Sequence, residues 1–487
     1  MQFLEKPAQL LCPIRNKMSE ISHDLIRAVQ KNGIIYEVGG AVRDRLLLHE
    51  KPTKDCDYLV TGIPYDELTR ILRKFGRVDL VGQSFGVIKF TQDIDDIKHT
   101  FDITLPRKEH STGVGHKDFA VSFNPSLPVE EDLKRRDFTI NAIARVLDSG
   151  ELVDPLGGVK DLENRTLKMV SENSFEEDPL RMLRAVQLSA RFELTIEDKT
   201  MDSLKEHHAL ISSISAERIA EELNKLLIHA KKPSEGFRLM QSTGLLNDIL
   251  PQLQECVDVD QPGGYHRWDV FEHTIRTIDE CRQNLRLRLA ALFHDIRKPQ
   301  HKEIKDDGCT FYGHEIGGSK AAKRWLRDYR YPIDLTSEVV TLVERHMFTT
   351  DVKDKGLRRL IRKVGLELIF DLLDLRRADV IAQGMGGVTD DVDELEARIR
   401  HEIDRKSPFG LKDLPIKGSQ LMKLLNLESG PAIGEILNHL LEQVLDFPEK
   451  NIISELESMA KDYYQENLNK LLELNRKRLK DTNNENS

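Results

Sequence analysis

A chain of 487 residues, 39% hydrophobic and 32% charged, has the makeup of a globular protein of two to four domains and not of a disordered one. No apolar run is long enough to span a bilayer, and Glu5, Pro7 and Pro13 interrupt the first apolar stretch, so neither a membrane protein nor a secretory leader is expected. The net charge of −10 gives no global sign of a nucleic-acid binder, so any such role must rest on local clusters: Lys134-Arg135-Arg136, Arg181 with Arg184, Arg358-Arg359 with Arg362-Lys363, and Arg476-Lys477-Arg478.

In chain order, residues 19–32 set Ile21, Leu25, Ile26 and Val29 on one side of a helix closed by Gly33. Residues 34–38 read as a short buried strand, Gly39-Gly40 as a turn, and 41–48 as a helix. Strands follow at 55–60, 87–90 and 101–105. From about residue 155 the spacing turns helical, as in Leu180, Leu183 and Val186 or Ile219, Leu223 and Leu226, and almost no strand signal remains. Pro262-Gly263-Gly264 reads as a linker, and Lys412–Gly430 as a loop before a last helical segment. The expected fold class is α+β: a small head with a mixed sheet over 1–150, an all-α neck and body over 151–262, an all-α unit over 263–385 and a helical tail over 386–487. Five cysteines without CxxC spacing fit a reducing cytoplasm, the expected location.

Two glycines after a strand let backbone N–H groups come close to a phosphate, although a glycine pair alone is more often a plain turn. In Lys54-Asp55-Cys56-Asp57, the carboxylates of Asp55 and Asp57 lie two apart on a strand and so share a face. Carboxylates so placed repel unless a cation sits between them, and a Mg²⁺-bound triphosphate supplies one. Asp102, on a later strand, is a candidate third carboxylate. A lone DxD is commonly incidental; one placed soon after a strand–GlyGly–helix element points to nucleotidyl transfer.

GGAVRDRLL (39–47) with KDCDYLV (54–60) resembles the signature of class II tRNA nucleotidyltransferases, which include CCA-adding enzymes and bacterial poly(A) polymerases. EEDLKRRDFTINAIA (130–144), LVDPLGGVKDL (152–162), EEDPLRMLRAVQLSARF (176–192) and SAERIAEEL (215–223) are similar to that family's further segments, in order. The resemblance implies Mg²⁺ at Asp55 and Asp57, triphosphate contacts from Gly39, Gly40, Arg43 and Arg136, and ribose reading by Asp137 and Asn141. Arg184 falls in the same nucleotide-binding set. Asp178 and Arg181, three apart on one helix face, would imitate the edge of a pairing base for cytosine and adenine. Thr104–Asn124, with Arg107 as its basic element, is similar to the flexible loop of members that add all of CCA. The implied substrates are tRNA, ATP and CTP, with no DNA and no membrane. A-adding and poly(A)-polymerase activities on the same scaffold remain alternatives, as does an RNA-binding protein whose only chemistry is nucleotide hydrolysis.

The segment after residue 262 gathers His273, His294-Asp295, His314, His346 and Asp379, donors suited to divalent metals. A single histidine on a helix is usually core or surface; this many, with an adjacent HD pair, point to metal. The set resembles that of HD phosphohydrolases. The resemblance implies His273, His294, Asp295 and Asp379 as the minimal ligands and His314 and His346 as those of a second ion. The metal would be a transition metal or Mg²⁺, activating water against phosphorus, with Lys298 assisting a phosphate.

Overall fold

The protein is represented by a computed structural model that describes residues 21–48, 56–79, 86–94, 96–111, 119–306 and 308–471, with the backbone alone for 48, 108–111 and 119–122. Two compact units divide the chain. One comprises residues up to Leu226 together with Arg238–Ile249; the other comprises Leu227–Phe237 and the chain from Leu250 onward.

The first unit is built on a sheet of β1 (Ile34–Val38), β2 (Asp57–Thr61), β3 (Arg77–Asp79), β4 (Val87–Ile94) and β5 (Ile97–Thr104), extended beyond β1 by two later strands, β8 (Ala144–Val146) and β9 (Leu152–Val153). The spatial order is β3-β4-β5-β2-β1-β8-β9. The β2–β5 pair is parallel and every other pair in the sheet is antiparallel, so the sheet is mixed as expected. A separate hairpin joins β6 (Arg107–Ser111) to β7 (Phe119–Phe123).

Strand alternation sorts the side chains onto two faces. Ile35, Tyr58, Val60, Ile88, Phe90, Phe101 and Ile103 point one way, into a core with Leu25 and Val29 of α1 (His23–Gln30) and Leu68 and Leu72 of α3 (Tyr65–Leu72). Tyr36, Val38 and Leu59 point the other way, against Val129 and Leu133 of α4 (Val129–Leu133) and against Ala142 and Ala144. Between β1 and β2 lies α2 (Gly40–Leu48). After the sheet come α5 (Gly158–Glu163), α6 (Ser174–Glu177), α7 (Leu180–Phe192), α8 (Asp198–His207), α9 (Ala216–His229), α10 (Pro233–Thr243), α11 (Leu245–Ile249) and α12 (Pro251–Gln254).

In the second unit, α13 (Val270–Glu280) packs on α18 (Ile369–Ala382), α14 (Leu285–Phe293) on α16 (Ile333–Arg345), and α15 (His314–Asp328) on α16. Leu289, Phe293, Leu326, Leu342 and Leu372 are fully buried among them. After α17 (Asp354–Val364) and α19 (Asp390–Asp404), the helices α20 (Gly418–Leu425), α21 (Pro431–Asp446) and α22 (Ile453–Glu466) enclose their own core around Leu421, Leu440 and Leu456. Among the described residues, no helix is long and apolar enough to cross a membrane.

Beyond about residue 155 the chain is mostly helical, as read from the sequence, with two short strand pairs that the sequence reading did not include. Thr166–Leu167 (β10) pairs with Thr195–Ile196 (β11), and Glu303–Lys305 (β12) with Gly308–Thr310 (β13). Segments of two or three residues are too short to show a period of two, and Glu303, Ile304 and Lys305 are all exposed, so β12 has no buried face to set an alternation. The first helix is also shorter than read, starting at His23 because the Ser22 hydroxyl accepts the Leu25 N–H and caps it.

Candidate functional site

The first constellation forms along the face of the sheet that carries α4. Asp57 begins β2, and the parallel register places Asp102 of β5 directly beside it. Asp57 is two residues from Leu59, so both carboxylates lie on the α4 face. Lys89 Nζ, on the neighbouring β4, stands 3.9 Å from Asp102 Oδ1. Asp55, predicted as the second carboxylate of the pair, lies outside the described residues.

Gly39 follows β1 with φ of +73°, a left-handed conformation that glycine adopts without penalty. Its carbonyl accepts the N–H groups of Val42 and Arg43, which starts α2. A Cβ at residue 39 would meet Arg136 Nη1 at 2.7 Å, and one at Gly40 would lie 3.3 Å from Arg43 Nη2. Two guanidinium groups therefore lie against the glycine turn. Arg136 is held at 3.3 Å by Asp132, a fully buried carboxylate that also pairs with Arg135 at 2.6 Å. Sequence reasoning missed Asp132, although its i,i+3 and i,i+4 spacing to Arg135 and Arg136 was the available signal.

Arg43 donates to Asp44 and, through Nη1, to Asn141 Oδ1 at 2.8 Å, and its guanidinium covers the Phe192 ring at 4.4 Å. Asn141 Nδ2 donates to Asp137 Oδ1 at 3.0 Å, and Arg184 donates to Asp137 Oδ2 at 2.9 and 2.6 Å. Burial resists charge on Asp137, but Arg184, Asn141 and the Phe138 N–H outweigh it and hold the carboxyl down to about 2. Arg184 also lies 3.6 Å from the buried Glu222. Arg43, Asn141, Asp137, Arg184 and Glu222 thus form one chain of contacts running from the glycine turn to α9. Both Asp137 oxygens and both Asn141 amide groups are engaged within it.

The expectation that Asp178 and Arg181 share one helix face is corrected. Asp178 stands before α7 in an extended conformation (φ −142°, ψ 96°), because Pro179 caps the helix. Its carboxylate accepts from Leu180 N at 3.2 Å and from Arg218 at 3.0 Å. Arg181 donates to Ser174 Oγ at 3.0 Å, to Glu177 and to the carbonyl of Arg135 at 2.9 Å. The two are anchored separately. Arg218, unpredicted, lies in the stretch SAERIAEEL, where nothing marks it as a partner of Asp178. Arg107 opens β6 and is half-buried, but residues 112–118 of the expected loop lie outside the described residues.

The second constellation lies in the second unit and brings together all six residues singled out there. His273, His294 and Asp379 form one triplet and Asp295, His314 and His346 another, with the ligand atoms of each within 4.8 Å of one another, and all are buried. Asp295 lies between them. Its Oδ2 is 3.2 Å from His294 Nε2 and 3.4 Å from His273 Nε2, while its Oδ1 is 3.2 Å from His314 Nε2 and 3.8 Å from His346 Nε2. Three of the imidazoles are oriented alike: Nδ1 of His294, His314 and His346 bonds the carbonyl three residues earlier at 2.7, 2.7 and 2.8 Å. That bond fixes the proton on Nδ1 and turns the Nε2 lone pair inward, as metal ligation requires. The facing Nε2 pairs are 3.4 Å (His273–His294) and 3.2 Å (His314–His346) apart. Two nitrogens bound at about 2.1 Å to one tetrahedral ion would stand about 3.4 Å apart. The donor set therefore fits metal ions.

Without an ion, burial opposes charge on His273, yet Asp295 and Asp379 raise it to about 9; burial and His294 push His346 down to about 3. Beside the cluster is a cavity of about 440 Å³ into which Asp295, His314, His346 and Asp379 face together with Lys298 and Arg376. Lys298 reaches Asp295 Oδ2 at 2.6 Å and Gln261 at 2.8 Å, and Arg376 reaches Asp379 Oδ2 at 3.2 Å.

Comparison with known proteins gives a consistent result. A family model of the poly(A) polymerase head domain matches residues 35–168, one described as "Probable RNA and SrmB-binding site of polymerase A" matches 193–256, and one described as tRNA nucleotidyltransferase domain 2 matches 310–459. A CC-adding tRNA nucleotidyltransferase of Thermus thermophilus is 32% identical over 421 residues, 84% of this chain and 88% of its own. An A-adding tRNA nucleotidyltransferase of Deinococcus radiodurans is 33% identical over 350 residues, 68% and 78% of the two chains. A multifunctional CCA protein of an Azoarcus species is 34% identical over 326 residues, 64% and 73%. The crystal structure of the Bacillus stearothermophilus CCA-adding enzyme with CTP superimposes with a TM-score of 0.68 at 21% identity, covering 92% of this chain and 98% of that one, and shares the fold.

Proposed function

We propose, since the chain belongs to the tRNA nucleotidyltransferase family and is a nucleotidyltransferase, that it adds C, C and A to the 3′ end of tRNA from CTP and ATP without a nucleic-acid template. The observation that carries this reading is the alignment of Asp57 and Asp102 on the sheet face where the Gly39–Arg136 turn and the Arg43–Asn141–Asp137–Arg184 chain also lie. Asp57, Asp102 and Asp55 would hold Mg²⁺, which when bound favours ionisation of the tRNA 3′-hydroxyl and neutralises triphosphate charge. The 3′ oxygen forms a bond to the α-phosphorus while the bond to pyrophosphate breaks.

The chain's own residues bind and orient. Backbone N–H groups at Gly39-Gly40, with Arg43 and Arg136, hold the triphosphate. Asp137 and Asn141 lie at the ribose, and Arg184 fixes Asp137 as a positioning residue. Asp178, held by Arg218, and Arg181, held by Ser174 and Arg135, present an acceptor and a donor to the base as two independently braced groups. The relatives divide among CC-adding, A-adding and multifunctional CCA proteins at nearly equal identity; the sequence of the Thr104–Asn124 loop favours the complete reaction. Primer extension on tRNAs ending at the discriminator base, at C and at CC tests it. Addition of CC and then a single A is the expected result. Extension by A of the CC-ended tRNA alone means an A-adding enzyme, and an unlimited run of A means a poly(A) polymerase.

A second activity, metal-dependent phosphohydrolysis, is favoured by the placement of Asp295 between two histidine pairs. His273, His294 and Asp379 would hold one ion and His314 and His346 another, with Asp295 shared, and the ions supply an activated water when bound. Lys298 and Arg376, on the cavity wall, orient a phosphate ester. In this reading residues 1–150 transfer the nucleotide, 151–262 select the base and hold RNA, 263–385 hydrolyse, and 386–487 grip the tRNA, all within the cytoplasm.

A further inference from the structure

We propose that the outer face of α15, with the Arg297–His301 segment, is a groove for the phosphate backbone of RNA. The inference rests on the tRNA reading only in taking RNA as the partner. Two adjoining cavities of about 400 and 820 Å³ flank α15 and share Lys320 and Arg324. Arg297 and His301 wall the first cavity; Lys323, Arg327 and Arg330 line the second.

In a chain of net charge −10, α15 and the turn after it carry Lys320, Lys323, Arg324, Arg327 and Arg330 against only Glu315 and Asp328. Asp328 is occupied by Arg327 at 2.9 Å, and Glu315 lies at the opposite end of the helix, 3.6 Å from His314. Among the described residues, Lys320, Lys323 and Arg324 form no ion pair, and all three are exposed. These three cations, without an ion pair among the described residues, attract an external polyanion.

The groove is shaped, not merely charged. A Cβ at Gly317 would lie 2.8 Å from His301 Nε2 and 3.3 Å from Arg297 Cβ, so the missing side chain is what lets the 297–301 segment lie against α15. His301 Nδ1 bonds the carbonyl of Tyr312 at 3.0 Å, which fixes the direction of its ring. Trp325, buried and stacked on Tyr329 with centroids 4.2 Å apart, makes a rigid floor.

The length of the groove decides for a polymer. Residues 320, 324 and 327 form a stripe about 10 Å long at the helical rise of about 1.5 Å per residue. A stripe of that length exceeds the span of a single phosphate and takes neighbouring phosphates of one strand. A lone phosphate would occupy one cavity only. Trp325 and Tyr331, the aromatic residues that line the two cavities, are buried and offer no face for base stacking there, so the contact is with the backbone and independent of sequence.

The test uses the full chain, a tRNA transcript ending at the discriminator base, and fluorescence anisotropy over a range of salt. Lys320→Glu/Lys323→Glu/Arg324→Glu is expected to raise Kd about ten-fold or more near 0.1 M salt and to lower the slope of log Kd against log salt by about two to three. The matching triple Gln variant should fall between it and the wild type, with unchanged melting temperature and unchanged kcat and KM for CTP. Equal Kd and slope in a wild type and variant that both extend tRNA overturn the groove and leave the transferase reading intact; a wild type that neither binds nor extends tRNA overturns both. If inorganic triphosphate loses affinity for the variant while RNA does not, the groove serves a free phosphate ligand and the RNA assignment falls.

Discussion

Asp57 and Asp102 face one another across the parallel strands β2 and β5, in direct register and on the same face of the sheet. Adjacent strands are about 4.8 Å apart, so two like charges are held close on rigid backbone, an arrangement that a divalent cation stabilises and that its absence penalises. Asp57→Asn should cut nucleotide addition roughly 10³-fold, in line with the several kcal/mol a bound metal contributes to such a transition state. Asp102→Asn should follow in direction, with the melting temperature unchanged or raised. Wild-type rates of single-turnover addition in Asp102→Asn would remove it from the site.

Gly39→Ala places a side chain at φ +73° and drives its Cβ into Arg136 Nη1. The left-handed conformation alone costs about 1–2 kcal/mol for a residue with a Cβ. Displacing Arg136 should raise KM for CTP and ATP roughly ten-fold, the equivalent of about 1.4 kcal/mol. Steady-state kinetics with each triphosphate checks it, and an unaltered KM would mean that Arg136 does not touch the triphosphate.

Asp137 is buried and its pKa is depressed to about 2 from the ordinary 3.8. A depressed carboxylate adds stability that is fully present above its unfolded pKa and is lost as pH falls through the folded one. Its contribution of about 2 kcal/mol should therefore be complete above pH ~4 and vanish towards pH ~2. Denaturant titrations of wild type and Asp137→Asn across this window should converge at the acid end. Arg184→Met should cost about 2 kcal/mol at neutral pH, at or below the lower edge for a broken buried pair, because Arg184 is 37% exposed. A constant stability gap between wild type and Asp137→Asn down to pH 2 would contradict the ion pair.

The histidine–aspartate cluster should bind two divalent ions per chain by elemental analysis. Saturating Mn²⁺ at about 100-fold its dissociation constant should stabilise the fold by about 2.7 kcal/mol, seen as a thermal shift. His294→Ala should abolish hydrolysis of a phosphodiester and leave nucleotide addition intact. Hydrolysis that survives both chelation and His294→Ala would assign the chemistry elsewhere.

Arg218 holds Asp178 at 3.0 Å, so Arg218→Ala should loosen base choice in the same direction as Asp178→Ala but by less. Competition among CTP, ATP, UTP and GTP measures it. Incorporation ratios unchanged in both variants would remove Asp178 from base selection.

Much of this was legible in the sequence. Short apolar runs marked β1 and β2, the glycine pair marked the turn into α2, and the dispersed histidines with one HD pair marked a set of side chains able to ligate metal, because each is a local pattern of residue type and spacing. Other features are relations between segments far apart in the chain, and spacing does not encode them. The register of β2 with β5, the bond from Arg43 to Asn141, and the grip of Arg184 on Asp137 depend on how strands pair and helices dock. Pro179 broke the helix that was expected to carry both Asp178 and Arg181, and Arg218, forty residues away, took the partner's place. The basic face of α15 escaped notice because its cations are spread through an ordinary amphipathic helix; only folding sets them along two adjoining cavities, with Gly317 admitting the wall opposite. The sequence determined which chemical groups the protein carries and where strands and helices would form, since those follow from local sterics and periodicity. The tertiary structure decided which groups meet, because packing and pairing bring distant residues to within hydrogen-bonding distance.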